Sequence, residues 1–262
     1  MLLFYFLAMR TYYLNLLFLV FSISCFATDP SGGNVPFTTV HFLSLDGMKM
    51  AGDYHEINPD APIIILCHQA GYSRGEYIDI AAQLNSFGFN CFAIDQRAGK
   101  SCNGLVNETA KYAKERGRPT TYLDAEQDIR AAIAHVTTKY YKNNIILWGS
   151  SYSAALALKL ATEIPAISHV VAYSPGEYLD GIDLQSALSN LDKPAYVTSA
   201  KKESESVKTL LSNVNPTLIT QFIPEGNGVH GSKVLWRDAQ DNGEYWASIY
   251  MYLKELLPKD VE

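Results

Sequence analysis

The chain lacks an excess of positive charge. Its 21 Lys and Arg are outnumbered by 27 Asp and Glu, the net charge is −6, and the basic residues do not cluster. No basic face is left for a phosphate backbone, which excludes nucleic acid as a partner. Cysteine is sparse too. The four cysteines have no metal-site spacing, so no metal is expected. Cys25 falls near the N-terminus, leaving Cys67, Cys91 and Cys102. In an exported chain Cys91–Cys102 is the sequence-local disulfide. The competing expectation is buried free thiols, because two of the three fall at or near apolar strands. Low-complexity tracts and internal repeats are absent. What remains, 262 residues of which 48% are hydrophobic and 18% charged, suffices for one well-buried α/β domain.

Arg10 precedes an apolar run over residues 14–21, followed by Ser-Ile-Ser-Cys-Phe-Ala. Residues 1–27 therefore read as a secretory signal peptide, with the small residues Cys25 and Ala27 suiting cleavage after Ala27. That leaves a single domain over 28–262 and an exported, periplasmic or secreted protein. An uncleaved membrane anchor is the alternative, since the apolar stretch is about long enough to span a bilayer. A lipid-modified Cys25 is a third reading. Any membrane contact is expected through this N-terminus alone.

Residues 36–57 read as a hairpin turning at Asp46-Gly47. Residues 61–67 form a continuous apolar run, as in a strand buried on both faces. His68-Gln69-Ala70-Gly71 follows, then a helix over 76–87. Another buried strand, 89–94, ends in Asp95-Gln96-Arg97-Ala98-Gly99-Lys100-Ser101. The polar stretch 102–119 reads as a long surface loop, and Asn107-Glu108-Thr109 inside it is a sequon if the source glycosylates. A helix over 122–136 directs Ala125, Ile129, Ala132, Ile133 and Val136 to the sheet. Strands at 145–148, 167–173, 194–200 and 217–223 alternate with helices at 152–162 and 203–214, with only a short excursion over 177–192. Asp241 to Glu244 resembles a capping box, and a closing helix over 245–257 turns Trp246, Ile249, Tyr250 and Leu253 inward. The pattern gives a mostly parallel sheet of about eight strands with helices on both faces.

The strand at 145–148 runs into Gly149-Ser150-Ser151-Tyr152-Ser153 and then a helix of small and apolar residues. Gly149 and Ser151 hold the first two fixed positions of the G-x-S-x-G nucleophile turn, and Ser153 stands where the last glycine is usual, read as a small spacer. Ser150 is expected to point away. With this turn, the His68-Gln69-Ala70-Gly71 loop, the Asp95 to Ser101 turn and a histidine after the last strand, residues 36–257 resemble the α/β-hydrolase superfamily. The minimal cap and the Val-His-Gly-Ser ending resemble its dienelactone-hydrolase and serine-aminopeptidase branch.

The resemblance implies a serine hydrolase that needs no cofactor and cleaves a small-molecule ester, or less readily an amide, through an acyl-enzyme. Ser151 is the implied nucleophile. His230, which alone of six histidines follows the last strand, is the implied base. Glu203 is the implied acid that orients it, with Glu205, Asp180 and Asp183 as alternatives. The oxyanion donors are the backbone N–H groups of Ala70 and Tyr152. His68 is expected to hold the loop by hydrogen bonds, and Gln69 either to reach substrate or to pin the loop. Tyr72, Tyr152 and Tyr178 are candidate pocket walls, and Asp95 with Arg97 a structural pair below. A peptidase variant of the reading needs a carboxylate such as Glu177 for the substrate's amino terminus. The reading from a different class is a non-catalytic binding protein on the same fold, motivated by Ser153 and Ala98.

Overall fold

The computed structural model describes residues 24–28 and 34–258. The strands in chain order are β1 (Ser24–Thr28), β2 (Asn34–Leu43), β3 (Lys49–His55), β4 (Ile63–Cys67), β5 (Asn90–Ile94), β6 (Ile145–Ser150), β7 (Ile167–Tyr173), β8 (Ala195–Thr198) and β9 (Ile219–Phe222). The helices are α1 (Ile78–Ser86), α2 (Glu108–Glu115), α3 (Glu126–Lys139), α4 (Tyr152–Ala161), α5 (Leu184–Ala187), α6 (Ser204–Leu210) and α7 (Asn242–Leu253). All nine strands form one sheet in the order β1-β2-β3-β5-β4-β6-β7-β8-β9. The first three pairings are antiparallel and the rest parallel. The eight strands expected from the sequence are β2 to β9. The ninth, β1, falls in the segment read as a leader, whose first 23 residues lie outside the described residues. No helix of the described residues is long and apolar enough to cross a membrane.

The sheet is buried because both of its faces are covered. Along β4, Ile63, Ile65 and Cys67 point into a core shared with Ile129 of α3, Leu156 of α4 and Val207 of α6. Ile64 and Leu66 point the other way, against Ile80 and Leu84 of α1 and Tyr245 and Ile249 of α7. The alternation of side chains across the pleat thus feeds two cores from one unbroken apolar run. Helix α4 is the most enclosed: every residue of it except Lys159 is buried. It lies directly behind β6, which carries the turn described below.

Three sequence expectations are corrected. The 102–119 stretch is not all loop, because α2 forms within it. The Asn107 side chain caps it by accepting from the Ala110 N–H at 2.7 Å. Only Thr109 and Ala113 of that helix are buried, so it has almost no apolar stripe for a periodicity reading to find. Asn107 is itself buried, and its amide nitrogen donates to the carbonyls of Gln96 (2.9 Å) and Tyr72 (3.1 Å). The folded chain therefore cannot present this sequon for glycosylation.

The capping box before α7 is absent as well. Asp241 is in the left-handed region (φ 67°) and makes no cap bond. Its carboxylate accepts from the Gly228 N–H, while Glu244 accepts from the N–H groups of Glu225 and Gly226. Both acids hold the preceding loop instead. In α7 the inward set is Tyr245, Ile249 and Leu253, and Tyr250 is 42% exposed. Of the two cysteine expectations, the free thiols hold: Cys67, Cys91 and Cys102 are unpaired and buried.

Leu147 is fully buried in β6, whereas Leu45 at the hairpin tip is 67% exposed. Leu147→Ala is expected to lower unfolding free energy by about 2–5 kcal/mol, and Leu45→Ala by less than about 0.5 kcal/mol, as measured by urea denaturation.

Candidate active site

Strand β6 ends at Ser150, and Ser151 takes φ 59° and ψ −121° before α4 starts at Tyr152. That conformation is rare for a residue with a side chain and persists only where its surroundings hold it. Here the Ser151 N–H donates to the Tyr173 carbonyl of β7 at 2.8 Å, and its carbonyl accepts from the N–H groups of Ala154 (2.9 Å) and Ala155 (3.2 Å). Gly149 is required at the turn, because a Cβ there would overlap the Ser153 backbone. Ser153 does more than keep the turn small. Its buried hydroxyl donates to the His68 carbonyl at 2.6 Å and accepts from the Gln96 amide at 2.7 Å, stitching the turn to the neighbouring loops.

Three side chains from separate elements meet above this turn. His230, in the loop after β9, lies with Nε2 2.8 Å from Ser151 Oγ and Nδ1 2.9 Å from Glu203 Oε1. Glu203 stands in the turn after β8. Glu205 and Asp180 are exposed, and Asp183 caps α5 through the Ser186 N–H, so among the described residues only Glu203 bonds to His230. Burial raises the Glu203 carboxyl, but the hydrogen bonds from His230 and Ser174 outweigh it and hold the group below its usual value. Ser174, which the sequence reading passed over, donates to Glu203 Oε2 at 2.8 Å and accepts from the Gly231 N–H at 3.0 Å. It follows β7 at φ 54°, and only the paired strands bring it beside Glu203.

The loop after β4 closes the other side. The Gln96 N–H donates to His68 Nε2 at 2.9 Å, so Nδ1 carries the proton and donates to the Gln69 carbonyl at 2.8 Å. Burial drives the His68 pKa down to about 4, so the ring is neutral and acts as a fixed strut. Among the described residues the Ala70 N–H has no protein acceptor, and Tyr152 begins α4, where the first N–H groups lack intrahelical partners. Gln69 is buried, and its side-chain carbonyl lies without a partner against Gly231. At that position (φ 79°) any side chain would collide with Gln69 and Ser150.

Tyr178 presents its face edge-on to the His230 ring (centroids 6.5 Å apart, 81°), and Tyr72 stacks on Trp236 (5.9 Å, 12°). The Tyr152 side chain is corrected from pocket wall to packing. It is buried, stacked on Tyr122 at 4.5 Å, and accepts from Gln96. Glu177 is exposed in the wall of the cavity beside Tyr178 and Glu203, and its two oxygens accept from the Leu184 and Gln185 N–H groups. Asp95 and Arg97 do not pair with each other. Asp95 pairs with Arg74, and Arg97 with Asp46 and Asp128. A cavity of about 470 Å³ lies beside the relay, with Tyr178, Glu203, Pro175, Val207, Leu210 and Lys202 in its walls.

A second residue missed from the sequence is Glu76, fully buried beneath the site. It accepts from the Gln69 N–H at 2.8 Å and from Ser150 Oγ at 2.9 Å. Ser150 thus points down and away from His230. Glu76 shares its segment with Arg74 and Asp79, so nothing in the local pattern singles it out.

The sheet order and the strained turn between a buried strand and a buried helix define a member of the α/β-hydrolase superfamily. A family model described as serine aminopeptidase, S33, matches residues 58–217, and the chain belongs to that family of hydrolases. It is similar to a thiohydrolase from Arthrinium phaeospermum, 27% identical over 139 residues, 52% of this chain and 42% of that one. The match thus spans less than half of that relative's length. Among solved structures it is similar to an esterase from Pyrococcus furiosus (TM-score 0.66, 20% identity, 84% of this chain and 92% of the other). A dienelactone hydrolase from Anabaena variabilis is also similar (TM-score 0.61, 16% identity, 84% and 95%).

Ser153→Ala leaves the His68 carbonyl without its donor in a fully buried place. The expected loss is about 1–3 kcal/mol, read from the midpoint of chemical unfolding.

Proposed function

We propose that this hydrolase cleaves a small-molecule ester through an acyl-enzyme, with Ser151 as nucleophile, His230 as base and Glu203 as the orienting acid. The observation that carries the reading is His230 hydrogen-bonded at once to Ser151 Oγ (2.8 Å) and to Glu203 (2.9 Å).

The steps follow from that geometry. Glu203 accepts from Nδ1, which leaves Nε2 free to take the Ser151 proton as Oγ attacks the carbonyl carbon. Glu203 stays ionised and stabilises the imidazolium. The carbonyl oxygen becomes an oxyanion facing the Ala70 and Tyr152 N–H groups, with the positive end of α4 behind them. The intermediate collapses, His230 passes its proton to the leaving alcohol, and Ser151 is left acylated. Water then attacks the acyl carbon with His230 again as base, the acid departs and Ser151 regains its proton. The cavity of about 470 Å³ beside Tyr178 and Glu203 suits an acyl or alcohol group of modest size. The same steps apply to a thioester, which the thiohydrolase relative makes worth including in a substrate panel.

The second reading, a peptidase, rests on Glu177, which is exposed in a wall of the same cavity while its oxygens accept from the Leu184 and Gln185 N–H groups. We propose further that the protein is exported, on the leader pattern of residues 1–27.

Purified wild type is expected to hydrolyse short-chain activated esters and to be labelled by a fluorophosphonate. Ser151→Ala is expected to lose labelling and to lower turnover by about 10³-fold or more. Equal rates in the two proteins would sink the assignment, and a bound ligand with no turnover across esters, thioesters and amides would support the non-catalytic reading instead.

A further inference from the structure

Glu76 is a buried carboxylate with no cation within ion-pair distance among the described residues. Such a group costs folding free energy that an apolar side chain of the same size would not. What a carboxylate supplies here is two acceptors, and both are used. Oε2 accepts from the Gln69 N–H (2.8 Å) and Oε1 from the Ser150 hydroxyl (2.9 Å). Gln69 precedes Ala70 and Ser150 precedes Ser151, so one side chain spans the oxyanion loop and the nucleophile turn. The chain of bonds continues: Ser150 Oγ accepts from the Ser232 N–H at 2.8 Å, and Ser232 Oγ from the Trp148 indole at 2.9 Å. Ser232 lies two residues beyond His230. The backbone of Glu76 is fixed as well, since its carbonyl accepts from the Trp236 indole at 2.9 Å and its N–H donates to the Ser73 carbonyl at 3.0 Å.

We propose that Glu76 is the positioning residue of the site, its carboxylate holding the Ala70 amide, Ser151 and the His230 loop in register from below. The proposal rests on the serine-hydrolase reading above. It concerns rate rather than binding, because the Ala70 N–H must meet an oxyanion that exists only after attack.

The same carboxylate is sensitive to protons. Burial raises its pKa to about 7, against the hydrogen bonds from Gln69 and Ser150 and the attraction of Lys233 in the 232–235 turn. The other titratable groups around it are Tyr77, Tyr72 and Cys102, while neighbouring Arg74 is committed to Asp53, Asp95 and Glu108. A protonated Glu76 accepts at one oxygen and donates from the other, so its bond to Ser150 must reverse direction and loses its charge assistance, and the loop loosens as pH falls through neutrality. The folded protein binds this proton more tightly than the unfolded chain. Ionisation of Glu76 therefore works against stability as pH rises from the ordinary carboxylate range to about 7.

The experiment compares the full chain with Glu76→Gln, Ser150→Ala and Ser151→Ala on one activated ester. Glu76→Gln is expected to lower kcat about 10- to 100-fold with KM little changed and fluorophosphonate labelling of Ser151 retained. Its melting temperature at pH 8 should be no lower than wild type, which separates positioning from support of the fold. The acid limb of log kcat/KM against pH is expected to be steeper in wild type than in Glu76→Gln, because only wild type carries the Glu76 ionisation. Unchanged kcat, an effect on KM alone, or the same slope in both proteins overturns the proposal. If Glu76→Gln does not fold, Ser150→Ala decides. It removes one donor to Glu76 without altering the acid, and unchanged kcat there overturns the proposal equally. Wild-type turnover equal to that of Ser151→Ala overturns the hydrolase reading itself, and the role of Glu76 with it, a result distinct from a silent Glu76→Gln in an active enzyme.

Discussion

A serine held at φ 59° is the constraint on which the rest of this site depends. The conformation lifts Oγ clear of the sheet edge, and it is unfavourable for a residue with a Cβ. It survives because β7 accepts its N–H, α4 donates to its carbonyl, and Gly149 leaves room for the Ser153 backbone. Each support needs a buried partner. The parallel strand β7 must lie beside β6 in the register Ser150↔Tyr173, and α4 must be apolar enough to sit against the sheet from its first turn.

The polar groups near that turn are arranged so that few are left alone in the interior. His68 is neutral and bonded at both nitrogens, Asn107 bridges three loops, and Arg74 and Arg97 are each enclosed by carboxylates. These contacts fix the loops at the carboxyl ends of β4, β5 and β6. Glu76 differs, because its charge has no cation within ion-pair distance among the described residues, and only its hydrogen bonds and the more distant Lys233 favour ionisation. Above the sheet edge, His230 and Glu203 are partly exposed over the buried Ser151, and Ser174 couples the acid to the backbone just after the histidine.

Much of the architecture is legible in the chain because its strands are continuous apolar runs and its core-facing helices carry apolar stripes. The antiparallel β2–β3 hairpin announces itself by Asp46-Gly47, and β4, β5 and β6 by Ile and Leu runs ending in polar turns. The elements misread are those whose signal is weak. Helix α2 is polar on nearly all sides, and Asp241 and Glu244 match a capping pattern while bonding to a loop some fifteen residues upstream. Tyr250 fits an apolar i, i+4 spacing from Trp246, but it lies about 100° around the helix from Ile249 and is 42% exposed.

The sequence by itself determined the class of fold and the small residues around Ser151, since these follow from local pattern and spacing, while Glu203 and His230 came only from the resemblance to the α/β-hydrolase superfamily. Only the tertiary structure decided which acid meets His230, that Asp95 and Arg97 have separate partners, and that Ser174, Ser153 and Glu76 brace the site. Many of those contacts join residues far apart along the chain, 27 positions between Glu203 and His230 and 85 between His68 and Ser153. Nothing in a local pattern encodes such pairings. They arise when parallel strands bring the ends of distant segments to one edge of a sheet.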